Sequence, residues 1–145
     1  MSDFRKLSDT VYASPQIGVE DIEAAAALGV TMVINNRPEG ETEDQTPGAA
    51  IEAAARAAGM EYAAIPVTMP SLSDVHVTAM QEMLERAAGP VLAYCRSGTR
   101  STLLWSLARA KGGADPAVIA NAAAAAGYDV APVREAMEAY AAQAG

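Results

Sequence analysis

The chain has 145 residues, about half of them apolar, with one Phe, one Trp and one Cys. That length suits one domain, taken as residues 1–145, with a core of small-residue helices packed on a few Val/Ile/Leu/Met strands. A formal net charge of −8 offers no basic stripe for tracking phosphates, which argues against nucleic-acid and anionic-membrane partners and for a small soluble substrate.

The predicted elements alternate. "TVYAS" (10–14) is a weak strand candidate, followed by an alanine-rich helical pattern, "VEDIEAAAALG", closing at Gly29. "TMVINN" (31–36) reads as a buried strand and leads into the charged loop "NRPEGETEDQTPG" (36–48), too short for a domain linker. A helix over 46–59 stops at Gly59, "YAAIPV" (62–67) is the next strand, and a helix over 73–89 stops at Gly89. "PVLAYC" (90–95) is the last strand. A helix then stops at Gly112, another opens at Asp115 with Pro116 in its first turn, and a final one runs from about Pro132 to Ala142. Alternating strands and helices imply an α/β fold, a four- to five-stranded mainly parallel sheet flanked by helices.

A lone cysteine cannot form an internal disulfide, and "MSDFRKLSDTVYAS" has neither a signal-peptide core nor a spanning segment. A cytoplasmic protein with a free thiol is expected. One His and one Cys cannot supply the three or four ligands that zinc requires, so no metal is expected; no cofactor is expected either.

In open parallel sheets, ligands bind at the carboxyl ends of the strands. Cys95 ends a strand there, and Arg96, Ser97, Gly98, Thr99, Arg100 and Ser101 lead straight into the helix "LLWSLARA". Such a loop can turn backbone N–H groups inward as an anion nest, with Gly98 allowing the unusual dihedral and the helix N-terminus adding partial positive charge. The same field, with Arg100, favours a thiolate. Arg96 is expected to point outward at the rim. Ser97, Thr99 and Ser101 offer hydroxyls, with Ser101 the expected stabiliser of the cysteine. Arg37, at the end of another strand, is either a second cation for the anion or a partner of Glu39 or Glu41. His76, in the first turn of its helix, reads as a surface or capping residue, with a substrate-side role as the alternative. Trp105 reads as core or pocket wall.

"YCRSGTRS" resembles the nucleophile loop of the cysteine-dependent phosphatases, H-C-x-x-G-x-x-R-S between a strand and a helix. Together with "VYASPQIGVEDIEAAAALGVTMVINNRPEGE" it resembles the phosphatase-like domain of the beta-lactamase-hydrolase-like family, over residues 3 to about 112. The resemblance implies a dual-specificity-phosphatase-like fold, Cys95 as nucleophile and Arg100 as the arginine that grips the anion. It also brings a link to sulfur-handling hydrolases, which makes an enzyme of sulfide or persulfide oxidation the candidate partner.

Three departures alter the expected chemistry. Only four residues separate Cys95 from Arg100, one fewer than in the phosphatase pattern and the length of the active loop of rhodanese sulfurtransferases. Tyr94 replaces the histidine before the cysteine. The expected position of the general acid reads Thr68 or Met69; Asp74 is the candidate acid nearby, but Ser71 and Asp74 also fit a helix capping box. An alkoxide leaving group suffers from a missing acid, whereas sulfur displacement needs less help. The leading expectation is therefore a sulfurtransferase moving sulfane sulfur through a Cys95 persulfide. A cysteine-dependent phosphatase working through a phosphocysteine is the alternative, and a non-catalytic anion-binding module the third reading; in all three the ligand is a small anionic sulfur or phosphate species.

Overall fold

The computed structural model describes residues 2–144. Strands β1 (Arg5–Ser8), β2 (Val11–Ser14), β3 (Met32–Asn35), β4 (Glu61–Ala64) and β5 (Val91–Tyr94) form one sheet in the order β1-β2-β5-β3-β4. Only β1 runs antiparallel to its neighbour. The expected α/β architecture is therefore present, with β5 at the centre and its end flanked by the ends of β2 and β3 (Ser14 and Asn35 both opposite Tyr94).

The helices are α1 (Asp21–Ala27), α2 (Gly48–Ala57), α3 (Asp74–Arg86), α4 (Thr99–Lys111), α5 (Pro116–Ala125) and α6 (Arg134–Ala144), the last preceded by a 3-10 turn at Ala131–Val133. Period-two alternation divides the strands between two cores. Val33, Leu92 and Tyr94 face α1 and α2 through Ile22, Ile51 and Ala55. Ala13, Ile34 and Ala93 face the larger helical layer through Met80, Leu104 and Met137. Because helices cover both faces, the central strands are apolar on both sides and carry no amphipathic signal. Helix α4 is buried from Ser101 to Ala108, and this rigid rod carries the loop that precedes it.

Several boundaries differ from the sequence expectation. Strand β1 has no apolar run; it is an edge strand with one buried side chain, Leu7. The 62–67 strand is short as a ladder, although Ile65 and Val67 still donate N–H bonds to the carbonyls of Asn35 and Asn36. Helix α3 ends at Arg86 because Ala87 turns extended (φ −61°, ψ 133°), so Gly89 is not its stop, and after α4 the left-handed glycine is Gly113 rather than Gly112. The capping box of α3 is Ser73 with His76, not Ser71 with Asp74: Nδ1 of His76 accepts the Ser73 N–H at 3.2 Å. Asp115 caps α5 as expected, accepting the Ala117 N–H at 2.9 Å.

The C-terminal helix belongs to the main core through Met137, which is 0% exposed. Met137→Ala should cost about 2–5 kcal/mol in denaturant unfolding; a loss below about 0.5 kcal/mol would show that α6 does not pack as described.

Candidate active site

The sheet fixes where Cys95 stands. The Cys95 N–H donates to the Ser14 carbonyl at 3.3 Å, the Asn36 N–H to the Tyr94 carbonyl at 2.8 Å, and the Gln16 N–H to the Arg96 carbonyl at 3.2 Å. The end of β5 is thus tied to both neighbours, and the loop that follows has little freedom. Gly98 is the N-cap of α4 with φ +92°, a left-handed value that side chains rarely adopt. Its N–H donates to Sγ of Cys95 at 3.1 Å, its carbonyl accepts the Thr102 hydroxyl at 2.8 Å, and the Tyr128 hydroxyl donates to the preceding carbonyl, that of Ser97, at 3.1 Å.

Cys95 is fully buried. The amides of Arg96 and Ser97 have no protein acceptor among the described residues and lie at the positive end of α4. These are the components of an oxyanion cradle: free N–H groups, a helix N-terminus and a sulfur that already accepts one of the loop amides. Arg96 is exposed, as expected of a rim residue. The hydroxyls of Ser97 and Thr99 bond to each other at 3.0 Å.

Arg100 completes the cradle, and its fixing is the feature that sequence reasoning missed. Nη1 and Nη2 donate to the two carboxylate oxygens of Glu41 at 2.7 and 2.9 Å, and Nη1 donates also to the Val67 carbonyl at 2.9 Å. Three of its five N–H donors are thereby used. The two that remain, on Nε and Nη2, form one edge of the fork, the edge that suits an oxyanion. Glu41 also accepts from Nε of Arg37 at 2.8 Å. Arg37, only 4% exposed, further donates to Gln16 at 3.0 Å and Thr42 at 3.3 Å. Arg37 is thus a partner of Glu41, one of its two expected roles, and supports Arg100 from behind.

The electrostatics agree with this geometry. Hydrogen bonds from Arg100 first, and then from Arg37, hold the Glu41 carboxyl down at about 2 against partial burial. Arg100 is raised, chiefly by Glu41, with the nearby Cys95 charge adding to it. Burial raises Tyr94 well above the ordinary phenol range.

Two expected roles are corrected. Ser101 is buried and gives its one hydroxyl proton to Oδ1 of Asn36 at 2.7 Å, so the Gly98 amide, not Ser101, is the donor to the sulfur; Asn36 in turn donates to the Ile65 carbonyl at 3.0 Å. Asp74 is not brought to the loop. Its carboxylate accepts from Lys111 at 3.0 Å and Tyr140 at 2.6 Å, and Lys111 lies roughly 16 Å along α4 from Arg100. His76 caps α3 and Trp105 is core. A cavity of about 500 Å³ opens by Val11, Val91 and Trp105, at the opposite ends of the strands from Cys95. No group of three or more His, Cys, Asp or Glu among the described residues could hold a metal, and no helix among them is long and apolar enough to cross a membrane.

Residues 3–114 match the family described as beta-lactamase hydrolase-like protein, phosphatase-like domain. The chain belongs to that family. A beta-lactamase hydrolase-like protein of Agrobacterium fabrum is 38% identical over 104 residues, 72% of this chain but 24% of the relative, so the chain spans about a quarter of the length of the curated relatives it matches. A candidate phosphatase from Neisseria meningitidis of known crystal structure is 36% identical, with a TM-score of 0.84 over 95% of this chain and 98% of that one. The catalytic core of the PP-IP phosphatase SIW14 from S. cerevisiae superposes with a TM-score of 0.70 at 15% identity, over 94% of this chain and 83% of that one. The fold is that of the cysteine-dependent phosphatases.

Replacing Glu41 by Gln removes the anchor of both arginines. Its side chain is 24% exposed, so after allowance for screening we expect a loss of about 1–3 kcal/mol at neutral pH. Because the folded carboxyl titrates at about 2 rather than 4.5, this contribution is present above pH 4.5 and is lost as the pH falls toward 2. Urea midpoints of wild type and Glu41→Gln should therefore converge below pH 4.5; a gap that stays constant to pH 2 would contradict the paired carboxylate.

Proposed function

We propose that this domain is a cysteine-dependent phosphatase acting on phosphate monoesters with good leaving groups. The observation that carries this reading is the fixing of Arg100: Glu41 and Val67 hold one side of the guanidinium and leave its Nε/Nη2 edge free, with Arg100 close enough to Cys95 to interact with it. Family membership and the phosphatase fold support it. They favour this alternative over the sulfurtransferase suggested by loop length.

In the proposed reaction the phosphoryl oxygens sit among the loop amides and the free edge of Arg100. The Cys95 thiolate attacks phosphorus, an S–P bond forms, and the P–O bond to the leaving group breaks with its electron pair departing on oxygen. Water then attacks the phosphocysteine, releasing inorganic phosphate and regenerating the thiolate. Arg100 and the inward amides stabilise the charge of both transition states. Arg37 and Glu41 position Arg100 without touching substrate.

Neither Glu41 nor Asp74 is available to protonate the leaving group. Glu41, held at about 2, is ionised and committed to two arginines, and Asp74 is tied to Lys111 and Tyr140. Proton donation is usually worth about a hundredfold or more, so substrates that leave as weakly basic anions should dominate. Against a series of aryl and alkyl phosphates, kcat/KM should fall steeply with leaving-group pKa. Cys95→Ser should lose about a thousandfold or more, Arg100→Lys about a hundredfold, and Asp74→Asn less than about twofold. A flat leaving-group dependence, or a large loss in Asp74→Asn, would restore an acid to the mechanism.

The four-residue loop favours a second reading, in which the same cradle holds a Cys95 persulfide. Thiosulfate would then donate its sulfane sulfur to the thiolate and leave as sulfite, and an acceptor thiolate would remove that sulfur. Intact mass after thiosulfate treatment separates the two: on the phosphatase reading Cys95 gains no sulfur, whereas a single added sulfur, discharged by cyanide, supports the transferase.

A further inference from the structure

Tyr128 lies beyond the residues that match the family (3–114), in the segment between α5 and the 3-10 turn. It is 7% exposed. Its hydroxyl donates to the Ser97 carbonyl at 3.1 Å. Its ring lies under the guanidinium of Arg5, 5.1 Å from the centroid, and Arg5 is itself anchored on the Ala126 carbonyl at 3.4 Å. A Cβ on Gly98 would collide with the Tyr128 hydroxyl, so the ring tip occupies the space that the glycine leaves open.

The peptide plane between Ser97 and Gly98 connects this bond to the nucleophile. In a trans peptide the C=O and N–H point in opposite directions. Holding the Ser97 oxygen outward on Tyr128 therefore aims the Gly98 N–H inward, where it meets Sγ of Cys95 at 3.1 Å. We propose that Tyr128 is a positioning residue that orients the Ser97–Gly98 peptide so that the Gly98 N–H is directed at the Cys95 sulfur. Donation to the carbonyl also polarises the amide and strengthens its N–H as a donor. Burial raises the Tyr128 phenol above its ordinary value, so it remains a protonated donor wherever the thiolate forms.

Other charged groups also act on the sulfur. Arg100 faces it from α4, with Glu41 and Arg37 behind; Arg96 stands at the rim of the loop, and Arg5 lies beyond the Tyr128 ring. Tyr128→Phe alters none of these charges and keeps the ring against Arg5, so it isolates the hydroxyl.

The proposal rests on Cys95 working as a thiolate, and its test does not require phosphate release. Alkylation of Cys95 by iodoacetamide across pH 4–10 gives the thiol midpoint. In Tyr128→Phe the midpoint should rise by about half a unit to one unit, the effect of one net hydrogen bond, and kcat/KM on an aryl phosphate should fall about three- to tenfold. 3-Fluorotyrosine at position 128, a stronger donor with the ring retained, should lower the midpoint below that of wild type and serves as the reading should the Phe variant fail to fold. Unchanged midpoints in both variants would overturn the proposal, as would an activity loss in Tyr128→Phe without any midpoint shift. If wild type releases no phosphate, the phosphatase reading fails, while the alkylation midpoints still decide the role of Tyr128.

Discussion

One carboxylate organises this site. Glu41 receives three charge-assisted hydrogen bonds, two from Arg100 and one from Arg37, and so fixes the long side chain that faces Cys95. A free arginine beside a short loop would sample many rotamers, and binding an anion would first have to order it. Here that ordering is built into the fold. Two cations with one anion between them also leave a net positive charge, to be balanced by thiolate or substrate.

The sheet serves the same end. With β5 between β2 and β3, the residues after it are hydrogen-bonded on both sides, and the four-residue passage from Cys95 to Arg100 spans only the distance to the first turn of α4. So short a loop has little slack, and its shape depends on Gly98 at φ +92°, on the Thr102 hydroxyl and on Tyr128. The last two come from the helical layer, which couples its packing to the geometry around sulfur. The polar contacts at Asn36 extend this support to β3 and the strand beyond it: Ser101, Ile65 and Val67 all bond to that one residue.

What was legible in the sequence was what local pattern encodes. The buried strands, the glycine stops at Gly29 and Gly59, the Asp115–Pro116 helix start and the Cys95–Arg100 loop all follow from short-range rules of periodicity, capping and dihedral freedom. Edge strand β1 was hidden because an exposed edge needs no apolar run. The site beyond the loop was hidden for a different reason. Glu41 and Arg100 are 59 residues apart and Tyr128 and Ser97 are 31 apart, so only the fold brings them together. Spacing of four residues between Arg37 and Glu41 hinted at their pairing but not at the second arginine. The place of Ser101 after Arg100 points to the sulfur, and Asn36, which accepts its hydroxyl hydrogen bond, has no sequence signature.

On the proposed reading, an oxyanion sits in the loop amides and on the Nε/Nη2 edge of Arg100 while Glu41 keeps the opposite edge. The decisive measurement is a crystal structure of the protein with tungstate. The expected result is tungstate within hydrogen-bond distance of the amides of Arg96 and Ser97 and of the Nε/Nη2 edge, over Sγ of Cys95, with both Arg100–Glu41 bonds intact. Tungstate bound away from Cys95, or Arg100 swung off Glu41 to reach it, would contradict the preorganised clamp.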